Sequence, residues 1–282
     1  MIFFMNRKLG MIATIAFLVV FAVSTPGSVA AAGDNYLFGG RTAGMANAAV
    51  SLYDFWAVSH NQAGLARLDN PAAGVYFENK FLLDALNFGA AAVAYPTSSG
   101  VLAFSFTHFG FDLYGENKVG LGFARNFGDR FSAGIQLNYH HTRLAEDYGS
   151  TGNITFELGA IYEVIPDLHI GAHLFNPTRA KVADYANERI PTILRTGFSY
   201  AFSEKVIVVL EAEQSSEQKA TFKAGIDYQI IDHFSIRGGI GTHPTSNAFG
   251  FGFQLGRLQI DLASSYHYVL GYSPQASLLY EL

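Results

Sequence analysis

A two-residue period runs through most of this chain, and it leaves few folds open. In Phe131, Ala133, Ile135, Leu137 and Tyr139 the apolar residues are odd-numbered, facing Ser132, Gly134, Gln136, Asn138 and His140. In Ile154, Phe156, Leu158, Ala160, Tyr162 and Val164 they are even-numbered, opposite Thr155, Glu157, Gly159 and Glu163. The pattern recurs between residues 74 and 282 and predicts fourteen strands of about 10 residues, each with one apolar face and one small or polar face. Tight turns such as Gly128-Asp129 and Ser203-Glu204 alternate with longer segments, among them 109–117, 143–152, 176–190 and 242–246. An even count of antiparallel strands, short turns at one end and longer loops at the other describe a transmembrane β-barrel. Tyr139, Tyr162, Tyr228 and Tyr266 near strand ends fit aromatic girdles, and the chain closes on Leu278, Tyr280 and Leu282. A soluble sandwich also alternates, but would not keep a lipid-length period through every strand.

In hydrocarbon every backbone N–H and C=O needs a partner, and only helices or closed sheets supply them all. The run Leu9–Val23 is too short to span as a helix. It follows Arg7-Lys8 and leads to Ser28-Val29-Ala30-Ala31-Ala32, which predicts a cleaved signal peptide over 1–32. Without it the chain holds 16 basic and 23 acidic residues, a net charge of about −7 that disfavours nucleic acid as a partner. With no cysteine, disulfide scaffolds and thiolate metal sites are excluded. Export and a barrel together predict the outer membrane of a Gram-negative bacterium. The short turns then face the periplasm, and both termini are expected there.

Residues 33–73 do not alternate. They are rich in small residues, and about 40 residues ahead of the first strand is too much for a tail. A barrel of fourteen strands has an interior to fill. The segment reads as an N-terminal plug, or hatch, folded into the lumen from the periplasmic end, with 74–282 as the barrel proper.

Arg41-Thr42-Ala43-Gly44-Met45-Ala46 followed by His60-Asn61-Gln62-Ala63-Gly64-Leu65-Ala66 resembles the hatch of FadL-type outer-membrane proteins. That superfamily includes transporters of long-chain fatty acids and aromatic hydrocarbons, and the PorV/PorQ proteins that accompany type IX secretion in Bacteroidetes. Gln62 stands where the family pattern has Pro, so the rigid turn that Pro imposes is absent. The chain is shorter than typical members, and in its compactness it looks more like the PorV/PorQ side.

The barrel reading makes the polar set inward. Glu157, Glu163, His169, His173, Arg195, Lys223, Asp227, Arg237 and Asp261 are expected to face the lumen and to pair there. Leu52, Phe55 and Trp56 are the expected apolar contacts of the hatch. No Gly-x-Ser-x-Gly elbow or His-Glu-x-x-His occurs. His140, His141, Glu146 and Asp147 cluster near a loop, but ordinary hydrated charges account for them. The reading is a non-enzymatic barrel without cofactor or metal. Its expected role is outer-membrane transport or secretion. Besides membrane lipid, its partner would be a small hydrophobic molecule or a secretion-machinery protein, the latter meeting the loop 176–190. A purely structural barrel is the third possibility.

Overall fold

The computed structural model describes residues 35–111, 114–144, 149–180 and 189–282. The expected signal peptide lies outside them, as do Glu146 and Asp147 and most of the loop 176–190. No helix among the described residues is long and apolar enough to cross a membrane.

Fourteen antiparallel strands close into a barrel. They are β1 (Ala72–Asn79), β2 (Asn87–Thr97), β3 (Gly100–Phe111), β4 (Tyr114–Phe127), β5 (Phe131–Leu144), β6 (Ser150–Ile165) and β7 (Leu168–Phe175), followed by β8 (Ile193–Ser203), β9 (Val206–Ser215), β10 (Thr221–Ile231), β11 (Phe234–Thr242), β12 (Thr245–Leu255), β13 (Leu258–His267) and β14 (Gly271–Glu281). Each strand pairs with its sequence neighbour, and β1 pairs with β14 from Ala72↔Glu281 to Glu78↔Gln275. Leu282 N–H then bonds Pro71 O at 2.8 Å, tying the chain's end to the first strand.

Alternation sets the two faces. Ile135, Leu137 and Tyr139 point out while Gln136 and Asn138 are buried inside, and every strand repeats this parity. Several predicted loops are shorter than expected. Segments 109–117 and 242–246 continue as strand to Phe111 and Tyr114, and to Thr242 and Thr245. Glycines and charges marked these stretches as loops, yet a two-stranded ladder tolerates both where water covers it. The strands β3 to β6 run 12, 14, 14 and 16 residues, against 8 for β1 and 10 for β13. The rim is therefore high on one side and low on the other.

Residues 35–68 lie inside. Two short helices (Gly40–Ala43 and Ala57–His60) and a 3-10 turn (Gln62–Arg67) are set in otherwise irregular chain. Leu282 lies at the short-turn end of β14, and the described chain starts near the loop end. Lys118, near the loop end of β4, donates to Asn35 Oδ1 at 2.9 Å, and Tyr36 packs on Phe88 and Phe109 near the loop ends of β2 and β3. The described chain starts high in the lumen and descends to β1.

Glycines on successive strands make room for this descent. A Cβ on Gly239 would sit 2.2 Å from Met45 C, on Gly171 2.2 Å from Val50 O, on Gly159 2.1 Å from Asn61 Oδ1 and on Gly134 2.6 Å from Ala63 N. At three of these the main chain of the hatch rests on the main chain of the wall, and at Gly159 the Asn61 side chain does. Gly89 faces open space. Gly171→Ala is expected to cost about 1–3 kcal/mol by overpacking, and Gly89→Ala close to nothing. Unfolding of the purified barrel, followed by its mobility shift in detergent gels, measures both; equal midpoints would refute the glycine seat.

The hatch and its seat in the lumen

The hatch meets two unlike walls. On β1 to β4 the inward residues are mostly apolar: Tyr76, Phe88, Ala90, Ala92, Ala94, Val101, Ala103 and Ala124. This departs from the expected small-and-polar interior, since here both faces of the sheet are apolar. The reason is the hatch itself, which places Phe38, Phe55, Trp56, Val58 and Leu65 against this wall. Trp56 meets Phe38 and Phe55 edge-on at 6.0 and 5.0 Å between ring centroids. Leu52 packs separately with Met45, Ala48, Ala49 and Val209. Leu52, Phe55 and Trp56 are thus at most 4% exposed and pack between hatch and wall.

The opposite wall, β5 to β13, is charged and hydrogen-bonded. Glu157, Glu163, His169, His173, Arg195, Lys223, Asp227, Arg237 and Asp261 stand in three groups of ion pairs and hydrogen bonds. In the first, Glu157 is fully buried; its Oε2 accepts from Gln62 Nε2 and lies against His173 Nε2, both at 2.9 Å, and Lys118 Nζ is 3.7 Å from Oε1. Beside it Arg195 Nε and Lys223 Nζ both donate to Glu213, at 2.7 and 2.8 Å. Lys223 also reaches Glu211 Oε1 at 3.3 Å, while Glu211 Oε2 accepts the backbone N–H groups of Ala49 and Val50, each at 2.9 Å. Two hatch donors are therefore satisfied by one buried carboxylate.

The second group is a chain of alternating charge. Arg41 bridges Asp54 at 3.1 Å and Asp227 at 2.9 Å; Arg237 bridges Asp227 at 3.2 Å and Asp261 at 2.6 Å. Next to it Gly40 N–H donates to Ser277 Oγ at 3.0 Å. Burial opposes ionisation of Asp54, but His60, with Nε2 3.5 Å away, and Arg41 outweigh it and hold the carboxyl at about 2. Its contribution to hatch stability is thus present at neutral pH, and is lost only as pH falls from the ordinary carboxylate range toward about 2. In the third group Arg67 donates to Glu163 at 2.8 Å, His169 lies 3.7 Å from the same carboxylate, and Arg67 covers the Tyr53 ring at 4.2 Å.

The motif residues explain the turn that lacks its proline. Asn61 Oδ1 accepts Ala63 N–H at 3.2 Å and caps the 3-10 turn. Its Nδ2 faces Val50 O at 2.6 Å and the carbonyls of Ala160 and Ala172 on β6 and β7 at 3.3 Å. Gln62 then reaches Glu157, a contact no proline could make. Ala63, Gly64 and Leu65 are fully buried; a Cβ on Gly64 would meet Leu52 O at 2.3 Å. Lys118 was not among the expected lumen residues, although its parity with Gly120 and Gly122 marks it as inward. Arg41 and Asp54 carry no such signal, because the hatch has no period.

At the turn end a crevice of about 230 Å³ lies between hatch and wall. Phe55, Trp56, Ile207 and Leu279 give it an apolar side, and Arg41, Asp227 and Arg237 a charged one. Among the described residues no group of His, Asp or Glu is placed to hold a metal ion.

The barrel and its seated hatch define a class of plugged fourteen-strand barrel, and known structures share it. A monoaromatic hydrocarbon channel, CymD, superimposes with a TM-score of 0.68 at 12% identity, covering 89% of this chain and 99% of that one. The toluene transporter TbuX of Ralstonia pickettii gives 0.67 at 15% identity, over 86% and 97%. A Pseudomonas aeruginosa FadL homologue gives 0.58 at 13%, over 91% and 98%. At such identities the likeness is one of fold. No family model and no curated protein matches the chain. These structures lie on the FadL side of the resemblance; the PorV/PorQ side rests on the sequence motif alone.

Removing one member of a buried ion pair costs about 3–5 kcal/mol. Arg41→Met is therefore expected to loosen the hatch and leave the barrel closed. Amide exchange over residues 40–54 should accelerate about a hundredfold or more, with strand amides unchanged. Unaltered exchange in the hatch would show that the charge chain does not hold it.

Proposed function

We propose that this protein is a non-enzymatic outer-membrane conduit for small hydrophobic molecules in a Gram-negative bacterium, with residues 33–73 as its hatch and 74–282 as its barrel. The observation that carries the reading is the two-sided seat. One side of the hatch is held by directional charged bonds to β5–β13, while the other meets mainly apolar packing on β1–β4, where Lys118 and Asn126 of β4 bond only its two ends, at Asn35 and Ala66. A solute of matching polarity competes with the second side and leaves the first intact. It would enter at the loop end, pass along the apolar wall as the hatch gives way, and leave through the crevice beside Phe55 and Trp56. That crevice, about 230 Å³, suits a single ring: an apolar cavity of about 150 Å³ already takes benzene. Two of the similar structures are named for monoaromatic hydrocarbon and toluene transport, which supports the same size class. A secretion partner would need the loop 176–190, and no feature of its described residues favours one.

The cysteine-free chain allows a direct test. A Cβ on Gly40 lies 2.7 Å from Ser277 Oγ, so Gly40→Cys with Ser277→Cys is placed to form a disulfide. In liposomes, toluene uptake by this double variant is expected to survive oxidation, because this edge of the hatch stays seated while the apolar side gives way. Uptake lost on oxidation and restored by reductant would overturn that route, and no uptake by the unmodified barrel would reject the conduit.

A further inference from the structure

The low side of the rim carries an apolar patch that the conduit reading does not use. Leu82 and Leu83 of the β1–β2 loop and Tyr268, Val269 and Leu270 of the β13–β14 turn are exposed, from 51% at Leu83 to 79% at Tyr268. The two loops are neighbours. Phe81 N–H donates to Ser273 Oγ on β14 at 3.0 Å, and the Phe81 ring lies 5.9 Å from that of His267. Phe81 and Leu82 both adopt left-handed backbone, φ 59° and 57°, a region that glycine enters freely and bulky side chains seldom do. That conformation is what turns Leu82 and Leu83 outward while Phe81 stays partly buried.

We propose that this patch is immersed in the acyl-chain zone of the leaflet at the loop end, so that the barrel mouth on this side opens at the membrane surface. Strand length supports the placement. At about 3.3 Å per residue and a tilt of about 40°, the 10 residues of β13 rise about 25 Å, the height of a barrel's apolar band. The tip at Tyr268–Leu270 therefore lands at the edge of the band. The 14 and 16 residues of β5 and β6 carry their hairpin about 10–15 Å further, into water. The patch is also continuous with the lipid-facing girdle: Tyr266 and Tyr272 stand below it with ring centroids 4.8 Å apart. Its five side chains include no base to seek a headgroup phosphate; Lys80 of the same loop lies over the Tyr36 ring at 3.9 Å, and Asp84 borders the patch. Acyl chains fit this composition better than headgroups do.

The inference rests on the membrane-spanning reading of the barrel but not on any transported solute. The full-length protein with Leu83→Cys, Val269→Cys or, on the high side, Ser150→Cys can be labelled with an environment-sensitive fluorophore in phosphatidylcholine liposomes. Lipid carrying a nitroxide at acyl carbon 5 is expected to quench the labels at 83 and 269 at least twofold. Aqueous iodide should quench them at least threefold less than the label at 150. Labels at 83 and 269 that respond to iodide as at 150 and ignore the nitroxide would overturn the proposal. So would shielding from both quenchers in native outer-membrane vesicles, which would mean a protein covers the patch. A barrel that moved no hydrocarbon would leave the result standing, so the two readings fail separately.

Discussion

Backbone hydrogen bonding governs the rest of this structure. A strand in hydrocarbon has no water to fall back on, so the sheet must close, and it closes through the pairing of β1 with β14. Closure at fourteen strands creates a lumen too wide for wall side chains to fill. The chain fills it with its own N-terminal segment. The hatch, its glycine seat and its carboxylate anchors all answer the vacancy that closure makes.

The fill is chemically lopsided. Charged residues on β5–β13 pair with one another and with hatch donors, so no carboxylate there is left alone in a low-dielectric interior. The alanine-rich face of β1–β4 does the opposite and offers directional bonds only to the two ends of the hatch, from Lys118 to Asn35 and from Asn126 to Ala66. One side fixes where the hatch sits; the other determines how easily it is displaced.

Much of this was legible in the sequence, for a local reason. Period two is a property of neighbouring residues, so the parity that places Glu157 and Arg195 inside and Leu158 and Leu194 outside can be read without knowing any partner. Strand count and order follow from it. What could not be read depends on residues far apart. Nothing near Glu211 indicates that it binds the amides of Ala49 and Val50, 162 and 161 positions away. The motif residues Asn61 and Gln62 were visible, but their partners on β6 and β7 were not. The inward alanines of β2 alternate weakly with outward ones, so a wall apolar on both faces looked like small filler. Loop lengths were overestimated because glycine and charge end a strand in the membrane but not in water.

The order of the hatch's contacts has a kinetic consequence. The segment touches the wall in nearly reverse chain order: Gly40 on β13 and β14, Met45 on β10 and β11, Val50 on β7 and β8, and Ala63 on β5. The residues made first thus find their seat on the strands made last, Gly40 and Ser277 being 237 positions apart. The anchoring of residues 40–50 therefore has to wait until the sheet has curled round on itself. During assembly the apolar side chains of residues 38–65 already have β1–β4 to pack on, whereas the charged and main-chain contacts of the hatch are completed only when the last strands arrive.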